Sequence, residues 1–388
     1  MGNLTVSSLL ENIFRAKDRV QRELVGFIPS VTINSSDAGI STGGTVTSHF
    51  APAPTLNTSY TPAMTIPEGD NQTIAVDTMS IGQTANVQIP VTGEAWRQIE
   101  NTSGGQALLD DMFAQAIRKV VNAIEAHVAG VAYKGASRAT GTAGTTPFGS
   151  NFDSVADVRK ILVDNGCPDD GMVSLVIDTA AGAKLRKLAS LYQANTAGTD
   201  QTLRRGALLD LLNIAIRESG NVQAHTKGAG ASYVVNNGNI AVGSTTLSFD
   251  GGTVNTTGFK AGDIITIADE PTAGKYVVKT GLTAVAGDVV INKPGLTGAI
   301  VDGKAVTIGD SYTANVAFHK SAIELVMRPP AQPYGGDAAT DRMTIRDDVS
   351  GLVFEVATYK GYGKNIIDIT CLYQAKVWKP EFVATLLG

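Results

Sequence analysis

Apolar residues recur at spacings of three and four along the stretch "GGQALLDDMFAQAIRKVVNAIEAHVAGVAY", residues 104–133. This period predicts one amphipathic helix, because it places the apolar side chains on a single face. At about 1.5 Å per residue the helix is roughly 45 Å long, well beyond the three turns of an average globular helix. The residues that we expect to pack this helix against the rest of the protein are Met112, Phe113, Ile117, Val120 and Ile124.

A second helical pattern covers residues 5–25, near the start of the chain. Ser8 and Glu11 form a capping box at its beginning, and the sequence "GFIP" ends it. The side opposite the apolar stripe carries charges of both signs, and its basic residues include Arg15, Lys17, Arg19 and Arg22. Two interpretations remain open: the helix packs on its own domain, or it is an arm that packs on a neighbouring molecule.

The stretch between Glu23 and Arg97 contains no lysine or arginine. Its acidic residues are Asp37, Glu68, Asp70, Asp77 and Glu94, so five negative and no positive charges give a net charge of −5. The segments "TVTSHF", "QTIAVDTMSI" and "TANVQIPV" alternate between apolar and polar residues, which predicts strands. Large apolar residues are too few here to build a core. We therefore expect an extended hairpin or loop that lies on another surface, with disorder as the alternative.

A helix, a strand and a helix follow in "FDSVADVRKILVDNG", "MVSLVID" and "TAAGAKLRKLASLY", a pattern typical of an α/β unit. A further helix is predicted for "TLRRGALLDLLNIAIRES", residues 202–219. Residues 226–312 contain about six short strands separated by turn residues, which indicates a small barrel or sandwich. This part interrupts the α/β unit, because "NVAFHKSAIELVMRPP" returns to strand and short helix. Such insertions are tolerated where their two ends lie close together.

The C-terminal part, from "LVFEVATYKGYG" onwards, is predicted to form two or three strands. In one of them Ile367, Ile369, Cys371 and Tyr373 occupy every second position, so their side chains share one face. The fold class predicted from the whole chain is α+β.

Composition narrows the class of protein further. A chain of 388 residues can bury a large core, yet only 17% of its residues are charged, which suits surfaces buried against other protein. A net charge of −5 gives no sign of a dedicated nucleic-acid binder. Two distant cysteines fit a reducing compartment. No apolar stretch has the length of a signal-peptide core or a membrane span, so we expect no membrane partner.

Motifs that carry chemistry are weak in this sequence. "GISTG" matches the nucleophile-elbow pattern at Ser41, but a strand-like segment follows it where that motif needs a helix. The four histidines, His49, His127, His225 and His319, have no spacing that suits a metal or a catalytic base. We expect no catalytic residues, no metal and no cofactor.

The order of these parts is an amphipathic arm, an extended hairpin, one long helix, an interrupted α/β unit with a β-rich insertion, and C-terminal strands. Its most specific pieces are "RELVGFIPSVTIN", "NVAFHKSAIELVMRPP" and "GKNIIDITCLYQAKVWKPEFVATLLG". The order resembles the major capsid (coat) proteins of tailed double-stranded DNA bacteriophages, which share the HK97-like fold. It is most similar to the podovirus-type branch, which carries an inserted β-barrel.

The resemblance implies a structural virion protein that assembles as hexamers and pentamers into an icosahedral shell in the bacterial cytoplasm. Its partners would be copies of itself, a scaffolding protein and the portal, and the packaged DNA would be enclosed but not bound specifically. Contact with the scaffold or with other subunits would involve Arg15, Lys17, Arg19 and Arg22. The implied parts are an N-terminal arm (1–37), an E-loop (38–95), a P-domain with the long helix as its spine (96–144 and 338–388), an A-domain (145–225 and 313–337) and an inserted β-barrel (226–312).

Some relatives join their subunits covalently through a lysine in the E-loop. Residues 38–95 contain no lysine, so we expect no such cross-link here. The sequence leaves two other classes of function open. One is an extracellular β-rich fibre, adhesin or surface-layer protein, and the other is an enzyme that would depend on Ser41.

Overall fold

The structure of the chain is a computed structural model. The residues that it describes are 9, 11–16, 25–36, 39–50, 62, 74–102, 105–149, 151–188, 210–211, 213–236, 238–253, 258–346 and 351–388.

Four helices lie in these parts, besides a helical stretch at residues 11–16. They are α1 (Gly93–Asn101), α2 (Gly105–Lys134), α3 (Asp153–Asp164) and α4 (Thr179–Arg186). Short 3₁₀ turns occur at Ile28–Ser30, Lys320–Ala322 and Pro380–Phe382. The prediction of a long helix over 104–133 is confirmed to within one residue at each end. None of the helices in the described ranges is both long and apolar enough to cross a membrane.

The strands divide into an early group, a group within the insertion, and a late group. The first group is β1 (Thr32–Ser35), β2 (Thr45–Phe50), β3 (Ala75–Ser80), β4 (Gln83–Thr92), β5 (Arg138–Gly141), β6 (Val173–Ile177), β7 (Asp210–Leu211), β8 (Ile214–Glu218) and β9 (Ala224–His225). The second is β10 (Val234–Val235), β11 (Thr246–Asp250), β12 (Ile264–Ile267), β13 (Tyr276–Thr280), β14 (Gly287–Ile291) and β15 (Val306–Ile308). The third is β16 (Tyr312–His319), β17 (Ile323–Arg328), β18 (Ala339–Arg346), β19 (Val353–Gly361), β20 (Lys364–Val377) and β21 (Val383–Leu387).

One sheet supports the long helix α2. Its order is β1-β17-β20-β19-β18, and β4 also pairs with β20. The side chains of Ile367, Ile369, Cys371 and Tyr373 on β20 are all buried in the same core cluster as the apolar stripe of α2, which confirms that they share one face. The two-residue spacing of these four side chains along β20 therefore places them on the side of the sheet that receives the helix.

The α/β unit contains the strands β5-β21-β16-β6-β8-β7, in that order, and its sheet continues through the pairing of β5 with β13 into the strands of the insertion. Helices α3 and α4 pack on it through Val158, Leu162 and Leu185. The predicted helix over 202–219 is wrong for its described part, because residues 210–211 and 214–218 are strands. Ile214 and Ile216 alternate into the core, and β8 pairs in parallel with β6. Tertiary pairing of β-branched residues has outweighed the helical preference of the leucines before them.

The strands of the insertion, β10 to β15, are connected in a circuit. The ladder runs β10-β11-β14-β13-β12-β15. Residues 233–235 then exchange backbone hydrogen bonds with residues 303–306, which links the end of the ladder to its beginning. The insertion has an apolar core of its own, with Tyr233, Phe249 and Tyr276 among its members. Its two ends lie side by side, because His225 of β9 pairs with Tyr312 of β16, as tolerance of an insertion requires.

Candidate functional site

The hairpin formed by β2 and β3 pairs with no other strand in the described parts of the chain. Its register runs from Thr45 opposite Ser80 to Phe50 opposite Ala75. Most described side chains of the hairpin are exposed, and Val76 is 57% exposed. An isolated two-stranded hairpin is marginally stable in water.

The predictions of strands for "TVTSHF", "QTIAVDTMSI" and "TANVQIPV" are confirmed, although the last, β4, belongs to the sheet under α2 rather than to the hairpin.

A lysine of the main sheet fixes the hairpin to the body of the protein. Lys376 Nζ donates hydrogen bonds to Asp77 Oδ1 at 2.7 Å and to the carbonyl oxygen of Thr78 at 2.8 Å. The same ammonium group lies 4.5 Å from the ring centre of Trp378, a cation–π contact. The hydrogen bond from Lys376 lowers the pKa of Asp77 from its ordinary value. The hairpin is therefore held by this charged contact and by Met79, which is buried in a cluster with Val326 and Leu372 of the main sheet, while most of its other described side chains stay exposed.

A groove of about 830 Å³ lies beside this contact, between α2, the insertion and the end of β20. Its lining includes Lys134, Lys279, Lys293 and Lys376, and among its charged residues only Asp77 is acidic. Four positive charges and one negative charge give the lining a net charge of +3, in a chain whose net charge is −5. Such a groove attracts anionic groups on a partner.

The insertion is seated on the end of α2 by a buried cluster of aromatic rings. His225 Nε2 lies 2.7 Å from Asp263 Oδ1, and the imidazole ring packs against the rings of Tyr133 and Tyr312, whose centroids are 5.6 and 5.2 Å away and which also contact each other. The hydroxyl group of Tyr312 donates a hydrogen bond of 2.7 Å to the carbonyl oxygen of Gly262, and burial raises the pKa of that hydroxyl group. Because Tyr133 belongs to α2, the insertion and the long helix share these contacts.

The arm residues that the structure describes pack on their own chain. Leu9, Ile13 and Ala16 are buried in the same core cluster as the apolar face of α2. Arg15 forms an ion pair with Glu11, and its guanidinium group is 3.8 Å from a carboxylate oxygen of Asp110 on α2. The other residues predicted to contact a scaffold or subunit, Lys17, Arg19 and Arg22, lie outside the described residues.

The residues predicted to pack the long helix all lie on its inner face. Phe113, Ile117, Val120 and Ile124 are buried in the core under α2, and Met112 is half-buried against it. Sequence reasoning missed Glu125, a fully buried carboxylate on the same face. Its position, three residues before Val128 and four after Val121, could have revealed an acidic residue within an apolar stripe.

The residues that carried the enzyme hypothesis do not form a nucleophile elbow. Ser41 is exposed in a turn, and the strand β2 follows it where a helix would be needed. His319 lies between Asp170, at 3.0 Å, and the hydroxyl group of Ser321, at 2.8 Å, a contact that the spacing of the histidines in the sequence does not reveal. His319 Nδ1 also accepts a hydrogen bond from the backbone N–H of Ser321. Nδ1 thus holds the turn that joins β16 to β17, and Nε2 connects this turn to Asp170 in the segment before β6.

Neither cysteine lies in surroundings that favour a reactive thiolate. Burial raises the pKa of Cys167 to about 11 and that of Cys371 to about 12, so neither thiol forms a reactive thiolate readily. Within the described ranges, no group of three or more His, Cys, Asp and Glu side chains could hold a metal ion.

No protein-family model and no curated protein matches the sequence. Among solved structures, the capsid of the cyanophage P-SCSP1u is 12% identical, with 94% of this chain and 88% of that chain covered and a TM-score of 0.49. The asymmetric unit of the mature capsid of bacteriophage PhiM1 is 10% identical, with 93% and 86% covered and a TM-score of 0.46. A structure from Mycobacterium phage Che8 is 15% identical, with 89% and 84% covered and a TM-score of 0.45. Each TM-score is below 0.5, so these similarities assign neither a family nor a function to the chain.

Proposed function

We propose that this chain is the major capsid protein of a tailed double-stranded DNA bacteriophage. The observation that carries the proposal is the β2–β3 hairpin, which pairs with no other described strand, contacts the body through Lys376 and the buried Met79, and leaves most of its other described side chains exposed. Ile74 and Val76, next to and within β3, are 63% and 57% exposed. Such a segment gains stability by covering the surface of another copy, and a closed shell repeats that contact many times.

The remaining architecture supports the same function. A 30-residue helix on a sheet makes a stiff plate, and plates of this kind can tile a shell. The proposed parts keep the HK97-like order of arm (1–37), E-loop (38–95), P-domain (96–144 and 338–388) and A-domain (145–225 and 313–337). The insertion at 226–312 would be the β-barrel of the podovirus-type branch, and its closed circuit of hydrogen bonds supports that assignment.

The partners follow from this role. Copies of the chain would form hexamers and pentamers in the host cytoplasm, together with a scaffolding protein and a portal. Because the chain is net negative, it would enclose DNA without binding it tightly. The role is structural and needs no cofactor. The long central helix and the mixed α/β unit do not favour the alternative of an extracellular fibre, adhesin or surface-layer protein.

The proposal is tested by expressing the chain alone and together with the scaffolding protein from its source. The products are separated by sedimentation, and the fast fraction is imaged by electron cryomicroscopy. We expect closed shells built of hexamers and pentamers, with the hairpin in contact with a neighbouring copy. A monomer under every condition, with the scaffolding protein present, would contradict the proposal.

A pair of surface variants tests whether the hairpin carries the assembly. Ile74→Ser combined with Val76→Ser removes exposed apolar area, so we expect normal folding but a lower yield of shells, since each lost apolar contact weakens association by about 1 kcal/mol or more. Val242→Ser is the matched control, because Val242 is 61% exposed but lies in the insertion. Equal shell yields from the two proteins would show that the hairpin does not carry the assembly.

A further inference from the structure

Glu125 is a buried carboxylate that no cation neutralises within the described part of the chain. Its side chain is 0% exposed. One oxygen accepts hydrogen bonds from the backbone N–H groups of Gly26 and Phe27, both at 2.7 Å, and from the hydroxyl group of Ser219 at 2.9 Å. The other oxygen accepts the N–H of Ile28 at 2.9 Å. Four donors therefore replace the water that a buried charge has lost.

These donors come from two different parts of the protein. Residues 26–28 directly follow the predicted arm helix (5–25), and Ser219 directly follows β8 of the α/β unit, where its own N–H donates to the carbonyl oxygen of Ile177. Gly26 leaves no space for a side chain, because an added Cβ atom would lie 2.7 Å from Val176 Cγ1 and 3.1 Å from Ser219 Cβ. The end of the arm, the long helix and the α/β unit thus meet at one carboxylate.

The arm has a second attachment of a different kind nearer its start. Asn12 donates a hydrogen bond of 2.7 Å to Asp110, which lies 15 residues before Glu125 on α2, or about 22 Å along the helix. This contact is only part-buried, and the packing around it is apolar. Apolar packing is not directional, so it does not fix the position of this part of the arm as a set of hydrogen bonds would. The joint at Glu125 is by contrast directional and fully buried.

We infer that Glu125 is the positioning residue of the arm. It fixes where residues 26–28 leave the body of the protein, independently of whether the preceding arm residues lie on α2. The chain from Gly26 onwards, including β1, therefore keeps its place through this joint. This inference concerns the single chain and goes beyond the proposed function, so it stands or falls separately from shell formation.

Hydrogen–deuterium exchange tests the inference, because the amides of residues 26–28 are themselves the donors. In Glu125→Gln, a side-chain NH₂ group replaces one acceptor oxygen, so we expect exchange at residues 26–28 to become at least about tenfold faster. Exchange along β20 should not change. Asp110→Asn is the matched control on the same helix, and it should accelerate exchange only around residues 11–16. Unchanged exchange at 26–28 in Glu125→Gln, or equal acceleration across β20, would overturn the inference.

A milder variant decides the matter if Glu125→Gln does not fold. Ser219→Ala removes one of the four donors and leaves the charge in place. We expect exchange at residues 26–28 to become about fivefold faster, as the loss of one hydrogen bond predicts, with β20 unaffected. Exchange at the wild-type rate in Ser219→Ala would show that the carboxylate does not hold the joint.

Discussion

The side-chain amide of Asn292, in the insertion, donates a hydrogen bond of 2.8 Å to the carbonyl oxygen of Lys134, the last residue of α2. Its second hydrogen bond, also 2.8 Å long, goes to the carbonyl oxygen of Ala136. The last carbonyl groups of a helix have no partners within the helix, so another part of the structure must supply them. Here the insertion supplies the C-terminal cap of the long helix.

Loss of this cap is expected to destabilise both partners. Asn292→Ala leaves two carbonyl oxygens without their donor, and we expect the free energy of unfolding to fall by about 2–3 kcal/mol. Asn292→Asp should be at least as harmful, because its oxygens would face two carbonyl oxygens. Urea denaturation measures the change, and the exposed Asn236→Ala is the control. A loss of less than about 0.5 kcal/mol in Asn292→Ala would show that the cap is dispensable.

Two glycines of the same region should respond in opposite directions to alanine. A Cβ atom added at Gly130, within α2, would meet nothing within 4 Å, so Gly130→Ala should raise stability by about 0.5–1 kcal/mol through helix propensity. At Gly135, directly after α2, the new atom would lie 2.5 Å from Val377 Cγ2, so Gly135→Ala should lower stability. Thermal melting of the two variants checks the pair, and a shift of both in the same direction would contradict this packing.

The stability of the protein should depend on His127 in weakly acidic solution. Burial, and then the charge of Lys134, lowers the pKa of His127 from its ordinary value of 6.5. The unfolded chain therefore binds a proton at His127 more readily than the folded chain does. The contribution of the neutral ring to the free energy of unfolding is complete above pH 6.5 and is lost as the pH falls from 6.5 towards the pKa of the folded state.

His127→Phe provides the measurement, since it keeps an aromatic edge against Tyr373 but cannot titrate. We expect the urea midpoint of the wild type to fall more than that of His127→Phe between about pH 7.5 and about pH 5.5. His49→Gln, at an exposed position on the hairpin, should behave like the wild type. Parallel pH profiles for the wild type and His127→Phe would refute the prediction.

Cys371 should report opening of the core under α2. It is 0% exposed, and burial raises its pKa to about 12. In Cys167→Ser, which leaves Cys371 as the only cysteine, a thiol reagent at about pH 8 should label the folded protein very slowly. Labelling should become fast in denaturing urea. Mass spectrometry measures the labelling. Rapid labelling of the folded protein would mean that the helix separates from the sheet far more often than its packing implies.

The sequence was most informative where a local period determines the structure. The spacing of Phe113, Ile117, Val120 and Ile124 predicted α2, and the alternation from Ile367 to Tyr373 predicted the inner face of β20. Both predictions hold because apolar residues that recur about every 3.6 positions in a helix, or every 2 positions in a strand, lie on a single buried face. The strands of the insertion were recognised from the turn residues that separate them.

Features that depend on distant pairing could not be predicted in this way. The donors to Glu125 lie 94 to 99 residues away, and Asp170 lies 149 residues from His319. The sequence of residues 210–218 predicts a helix because leucine favours helices. In the structure β8 is instead a strand, because it pairs with β6. A carboxylate within an apolar stripe signals that some partner exists, but only the fold identifies it.

The pairing of β4 with β20 also has a consequence for synthesis of the chain. Asn86 on β4 and its partner Asp368 on β20 are separated by 282 residues, whereas the insertion closes its circuit within residues 233–308. At about 5–20 residues per second, translation leaves β4 without its neighbour for roughly 14–56 s. The insertion can fold on the ribosome during that time, while the apolar stripe of α2 lacks the sheet that covers it in the folded protein. Production of the protein should therefore be sensitive to chaperone capacity, since the nascent chain exposes this stripe until translation is nearly complete.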